Sequence, residues 1–292
     1  MIAYRITKGK LEAAIEAEAK GWLAKAKKRT AGFRKKKKYQ ESSSIWSKVK
    51  VVYMRLQGEG KCAYCERKLA AEEYGKGEQD VEHFRPKKNV KRWGPASLTQ
   101  NGIRFTKPPG KGGYYLLPYH LFNYTASCKP CNSALKGDYF PIAGKYKMSG
   151  GEPGKLKSEK PYLIYPIGGI DDDPEELIAF YGLSPRAVAA SGHRRRRAHV
   201  TIEFFKLDDV GGRKDLFIAR ARAIVAMHPQ LVNLNAANPA KQTIAKALVD
   251  GFTSAKAEHA NCARSFRRVF ESSPADAAAL FQAAATYIAT NS

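Results

Sequence analysis

Four of the five cysteines fall in two pairs of identical spacing, Cys62-Ala63-Tyr64-Cys65 and Cys128-Lys129-Pro130-Cys131. Two residues between sulfurs let one tight turn aim both at a single ion, and two such turns complete a tetrahedral zinc–thiolate site. The pairs are separated by 62 residues, so the ion would staple a sizeable insertion rather than close a minimal finger. A redox pair or four unrelated buried cysteines is the competing reading, and the matching spacing favours the shared ion. Four thiolates close the coordination sphere, so this zinc contributes folding energy and activates no water. Any catalytic metal has to be a second ion, bound elsewhere. Cys262 stands alone on an expected helix and reads as a core residue.

Between the pairs lies Asp80-Val81-Glu82-His83-Phe84-Arg85-Pro86. Strand alternation puts Asp80 and Glu82 on one face and His83 on the other, unless a bulge or strand end re-aims the imidazole. Asn123 precedes Cys128 by five residues, Asn132 follows Cys131 directly, and Lys136 lies four residues beyond it. Pro130 suits a helix start, which places Asn132 in the first turn and Lys136 one turn later on the same face. Glu82 and the Asn132 carbonyl offer oxygen ligands to a hard cation such as Mg2+ or Mn2+. A neutral His83 can deprotonate a water. Asp80 could be a ligand, a partner of a ligand, or a surface residue. Each residue alone has an ordinary explanation: a structural histidine, a helix-capping asparagine, a surface carboxylate. Their order inside the cysteine pairs carries the functional reading.

The ordered set CxxC, Glu-His, Asn, CxxC-Asn, Lys resembles the HNH nuclease motif with its ββα-metal core, in the version with asparagine third. The stretches KCAYCE, VEHFRPK, GYYLLPYHLFNYTASCKPCN and KGDYFP are similar to the HNH proteins of retron- and Septu-type antiphage systems. A weaker similarity runs through YLIYPIGGIDDDPEEL and RAHVTIEFFKLDDVGGRKDLFIARARAI, so it covers about residues 45–225. The resemblance implies a DNA endonuclease. His83 and Asn123 would be its catalytic residues, with Asn123 fixing the loop or the histidine's orientation. Glu82 and Asn132 would hold the catalytic Mg2+ or Mn2+, and the four cysteines a structural Zn2+. Lys136 would contact phosphate, with Arg85, Lys87 and Lys88 as further nucleic-acid contacts. Phosphodiester hydrolysis needs an activated water, charge relief at phosphorus and help for the leaving oxygen, and these residue types can supply all three. In the resembling systems an ATPase partner controls the nuclease. The chain has no GxxxxGK[ST] loop, so ATP dependence would come from another protein. Duplex DNA is the expected substrate, and a homodimer would supply the second site that a double-strand break needs. The alternatives are a non-catalytic nucleic-acid-binding zinc module and an RNA-cleaving nuclease or toxin.

The elements that must position these residues read as an α+β protein, mainly helical, enclosing the zinc-stapled ββα-metal (HNH) core. Residues 1–42 form a basic N-terminal helix and arm, 43–160 the core, and 161–292 a mostly helical C-terminal region. Ala-, Glu- and Lys-rich residues 11–28 predict a helix. The basic run Lys27-Lys28-Arg29 and Arg34 to Lys38 reads as a flexible arm or loop that touches phosphates nonspecifically. Ile45, Val49, Val52, Tyr53 and Leu56 recur at helical spacing over 43–57. Residues 85–113 read as a long loop or irregular hairpin, 145–160 as an exposed connection, 162–167 as a short buried strand, and 171–176 as a turn into a helix. His120 reads as adjacent to the motif rather than catalytic. Arg194 to Arg197 either grip DNA backbone or form a solvated loop. Trp93 either stacks on a base or anchors its loop.

Charge points the same way. The 292 residues carry a net +24, of which residues 1–60 hold +11, 61–160 hold +10 and 161–292 only +3. Such an excess favours a polyanion, because bound phosphates release counterions. A solvated or membrane-surface patch is the blander alternative. Apolar residues at 43% exclude wholesale disorder. The lack of an 18-residue apolar run excludes an ordinary membrane-spanning helix. The start lacks the pattern of a secretory signal, so a cytoplasmic location with reduced cysteines is expected.

Overall fold

In the computed structural model, which describes residues 1–70 and 79–291, Gly21 adopts φ 74° and divides the expected N-terminal helix in two: α1 (Lys8–Glu18) and α2 (Trp22–Lys36). The Glu16 carboxylate accepts from the backbone N–H groups of Gly21 (2.7 Å) and Leu23 (2.9 Å) and closes the turn. The basic run is therefore not an arm. Residues 27–36 continue as helix because Trp22, Ala26 and Phe33 recur on one buried face, and these anchors outweigh the lysine-rich remainder. Trp22 Nε1 donates to the Ile45 carbonyl at 2.8 Å and ties α2 to the next segment.

A 3-10 turn, Trp46–Val49, leads into α3 (Lys50–Leu56). Gln57 then performs a bridging task at the open edge of a strand. Its Nε2 donates to the carbonyls of Lys61 (2.6 Å) and Ala126 (2.8 Å), and its Oε1 accepts from Ala126 N at 3.0 Å. A buried strand edge with unpaired groups would be costly, and this amide satisfies it at Ala126 together with Ala63 N, which donates to the same carbonyl at 3.0 Å. Strand β1 (Gln79–His83) pairs antiparallel with β2 (Tyr124–Cys128), in register Glu82 with Thr125 and His83 with Tyr124. The side chain of Asp80 lies outside the described residues. The long connection between the strands is mostly irregular, with a short helix, α4 (Ala96–Gln100), and a 3-10 turn, Leu121–Asn123, just before β2. Directly after β2, Pro130–Lys136 forms a π-type helix whose wide turn is closed by Gly137 N donating to the Asn132 carbonyl at 2.7 Å.

The predicted strand at 162–167 does not form. Leu163, Ile164, Tyr165 and Ile167 are buried as expected, but only isolated bridges reach this region, Tyr4 with Ile167 and Ile142 with Pro161. A hairpin forms instead from β3 (Ile178–Tyr181) and β4 (Ser184–Ala187). Helices α5 (Gly192–Phe204), α6 (Lys214–Asn233), α7 (Pro239–Thr253), α8 (Ala260–Ser272) and α9 (Pro274–Asn291) follow. One large buried cluster joins side chains from Met1 through Ala284, including the four paired cysteines, and a small second one gathers Ile103, Tyr162 and Val200. The protein is thus α-rich with small two-stranded sheets. Among the described residues, no helix is long and apolar enough to cross a membrane.

Candidate metal centre and adjoining cleft

The β1–β2 pair carries a different chemistry at each end. At the end where Cys128 closes β2, the sulfurs of Cys62, Cys65, Cys128 and Cys131 all lie within 4.8 Å of one another. The Cys65 and Cys128 sulfurs are 3.8 Å apart. Tetrahedral Zn–S bonds of about 2.3 Å require sulfurs about 3.8 Å apart, so the four residues fit such an ion. All four are buried, and none is in a disulfide. The group can hold a metal such as zinc. Arg213 Nη2 lies 3.9 Å from Cys131 Sγ and opposes the charge that thiolates bring, while its Nη1 is held by the Phe205 carbonyl at 2.8 Å. Tyr64 stacks on Phe205 at 4.1 Å and seals the cluster from solvent. Cys262 is buried away from the group, on α8.

At the other end the strands open onto a cleft of about 340 Å3 lined by Trp46, Glu82, His83, Lys87, Asn132 and Asp138, among others. Glu82 and His83 face the same space although they are consecutive. His83 is the last residue of β1, and the chain turns there under the Phe84 N to Asn123 O bond of 2.9 Å, so the pleat no longer dictates its direction. His83 Nε2 is 3.1 Å from the Pro118 carbonyl, which fixes the proton on Nε2 and leaves Nδ1 as the acceptor. Tyr124 donates its hydroxyl to the same carbonyl. Lys87 Nζ lies 3.5 Å from Nδ1 and 4.4 Å over the Trp46 ring, whose edge meets the imidazole at 4.9 Å. Burial, together with the Lys87 ammonium, holds the His83 imidazole well below its ordinary range, so the ring is neutral.

Burial pushes the Glu82 carboxyl up to about 7, against the pull of Lys136. Lys136 is fully buried and places Nζ 3.2 Å from Glu82 Oε1. Its ammonium is spent on that carboxylate rather than offered to solvent. Asn123 is a fully satisfied clamp. Its Oδ1 accepts from Arg85 N at 2.8 Å, and its Nδ2 donates to the carbonyls of Arg85 and Leu117, both at 3.1 Å. It holds the loop after His83 and does not reach the cleft's interior. Asn132 lines the cleft from the helix that also carries Cys131.

Other sequence expectations land away from the cleft. Arg85, read as a nucleic-acid contact, is buried; its Nε lies 3.2 Å from Glu159 and its guanidinium 5.0 Å over Phe140, so its charge is committed to the interior. Lys88 is exposed beside the half-buried Lys87. Arg197 is buried against Asp171 and Asp172, Arg194 pairs with Glu176, and Trp93 packs on Phe204 at 4.8 Å as a loop anchor. His120 bonds Glu152 at 3.2 Å. Three contributors to the cleft went unread in the sequence. Asp138, two residues past Lys136, adds a second carboxylate. Trp46 arrives from a turn far upstream, and the Pro118 carbonyl is backbone. The carboxylate in KGDYFP was a visible signal, whereas the other two become evident only in three dimensions.

No family model matches the chain, and no solved structure matches it. It is similar to a Septu protein PtuB of Bacillus mycoides (strain KBAB4), 34% identical over 121 residues that make up 41% of this chain and 35% of that protein. The chain therefore spans about a third of the length of the curated relative it matches, and over that stretch the likeness supports a link to Septu-type proteins.

Proposed function

We propose that the chain is a metal-dependent HNH endonuclease that hydrolyses phosphodiester bonds in duplex DNA as part of an antiphage system of the Septu type. One observation carries this reading. A neutral imidazole, with its Nε2 proton committed to Pro118, presents Nδ1 to a cleft that also holds two carboxylates and an amide, at the end of a strand pair followed directly by a helix. That donor set is hard-oxygen chemistry, suited to Mg2+ or Mn2+. Glu82 and Asn132, with Asp138 beside them, would hold the cation, which when bound would relieve charge on the leaving oxygen.

The chain's own groups divide the rest of the work. His83 Nδ1 accepts the proton of the attacking water, and the Pro118 carbonyl stabilises the imidazolium that forms. Lys87 moves from Nδ1 toward the phosphate on its flexible stem. Asn123 keeps the histidine loop in register. The cysteine cluster holds the strand pair and helix together and takes no part in the reaction. The Septu likeness supports a role in antiphage defence with a partner protein, an ATPase in the resembling systems.

The decisive experiment incubates the purified chain with duplex DNA, single-stranded DNA and RNA in Mg2+ or Mn2+, beside His83→Ala. Cleavage of duplex that disappears in the variant while zinc content persists is the expected result. Activity unchanged in the variant would remove His83 as the base. A second reading, a non-catalytic zinc module, draws on the Lys136 ammonium already occupying Glu82. It predicts DNA binding with no metal-dependent cleavage by the parent protein.

A further inference from the structure

Helix α2 presents two opposite faces. Trp22, Ala26 and Phe33 are buried, whereas Lys27, Lys28, Arg34 and Lys35, at i, i+1, i+7 and i+8, form an exposed stripe on the far side. Lys37 and Lys38 extend it past the helix end. None of these six cations has an ion pair among the described residues. Arg29, the basic residue that turns inward, shows the contrast: it pairs with Glu41 at 2.7 Å and bonds Tyr119 Oη at 3.2 Å. Favourable interaction with the helix dipole accounts for basic residues in the last turn only, and leaves Lys27 and Lys28 unexplained.

The buried face of the same helix is joined to the cleft by a chain of ring contacts. Phe33 stacks on Tyr119 (6.2 Å), Tyr119 meets Trp46 (6.0 Å), and Trp46 touches His83 (4.9 Å). Phe33 lies within the basic stretch, so three ring contacts join the stripe's helix to the imidazole.

We propose that the exposed stripe of α2, continued by Lys37 and Lys38, is a rail for the sugar–phosphate backbone of duplex DNA and delivers the strand to the cleft. From Lys27 to Lys35 the helical part of the rail measures about 12 Å at 1.5 Å per residue. That matches about three to four base steps of one strand at 3.4 Å each. This inference deepens the nuclease reading and rests on it for the identity of the polymer. The rail reads charge and spacing, not base sequence, because lysines on a helix face contact phosphates without touching base edges.

The test measures equilibrium binding of a 30-base-pair duplex by the zinc-loaded chain of residues 1–292 on a His83→Ala background across a salt series. One variant changes Lys27, Lys28, Arg34 and Lys35 to Gln. A second changes Lys214, Arg222, Lys241 and Lys246 to Gln, an equal charge loss on exposed positions of α6 and α7. Gln keeps helix propensity, so the helices persist. The rail variant should bind at least about tenfold more weakly, with the slope of log K against log salt reduced by about 3 to 4. The second should match the parent. Arg at Lys27, Lys28 and Lys35 should retain affinity. Unchanged binding in the rail variant, equal loss in both, or tighter binding to RNA duplex or to anionic lipid vesicles would overturn the proposal. A parent protein that binds through the rail yet cuts nothing would end the nuclease reading and leave the rail. A cutting enzyme indifferent to the rail would do the reverse.

Discussion

The two ends of the β1–β2 pair differ in what holds them. The cysteine end is dry and closed, built of four side chains of one kind that meet within 4.8 Å. The cleft end is open and mixed: β1 and the loop after it supply an imidazole, a carboxylate and the Lys87 ammonium, the π-type helix and the residues just past it supply Lys136, Asn132 and Asp138, and the upstream turn supplies the Trp46 indole. One end can be stabilised by a single ion. The other depends on charges that oppose or neutralise one another, Lys136 on Glu82 and Lys87 beside His83. The dry end thus concentrates identical ligands, while the cleft brings unlike groups close together.

Removing the cluster should break this contrast most severely. Cys65→Ala with Cys128→Ala, or a strong chelator, should abolish zinc content and unfold both ends together, since structural zinc is worth about 10 kcal/mol or more. Zinc analysis and thermal unfolding check this, and a folded, cutting double variant would show that the ends are not joined. Next in size, His83→Ala should reduce DNA cleavage about 10^2- to 10^4-fold with zinc retained. Loss of zinc in that variant would mean that the cleft also supports the cluster. Arg85→Met should destabilise the protein by about 3 kcal/mol, because Glu159 is left buried without its cation. Lys88→Met, exposed, should cost under about 0.5 kcal/mol. Denaturant midpoints separate the two, and equal effects would reverse the interior assignment of Arg85. Smaller than the Arg85 effect, Trp46→Leu should cost about 1 kcal/mol of stability through the lost His83 edge contact and Lys87 seat. It should also slow cleavage several-fold, and a rate equal to the parent's would remove Trp46 from the cleft's positioning.

The cysteine end was legible because residue type and spacing suffice there: two matching pairs point to one ion wherever the intervening chain goes. The cleft was legible only in part. Glu82, His83 and Asn132 could be picked out by order, but alternation assigns His83 to the opposite face from Glu82, and only the strand's end brings them together. Trp46 and the Pro118 carbonyl come from tertiary arrangement, which no local pattern encodes. Arg85 looked like a phosphate contact because a sequence does not display the buried Glu159 waiting for it. The α2 basic run reads as an arm because a single phenylalanine among lysines gives a weak period, yet Phe33 in its aromatic cluster, with Trp22 and Ala26 on the same face, seats the helix. Residues 162–167 are interior, as their apolar run implies, but not a strand, since burial and ladder pairing are separate requirements.

Cys131 and Asn132 are consecutive residues of one short helix, the first facing the sulfur cluster and the second the cleft. No insertion or deletion can fall between them, and no recombination point can separate them. Any transplant of the cleft into another scaffold must bring the thiolate staple along, and any redesign that trades the staple for an apolar plug must rebuild the helix that carries the amide.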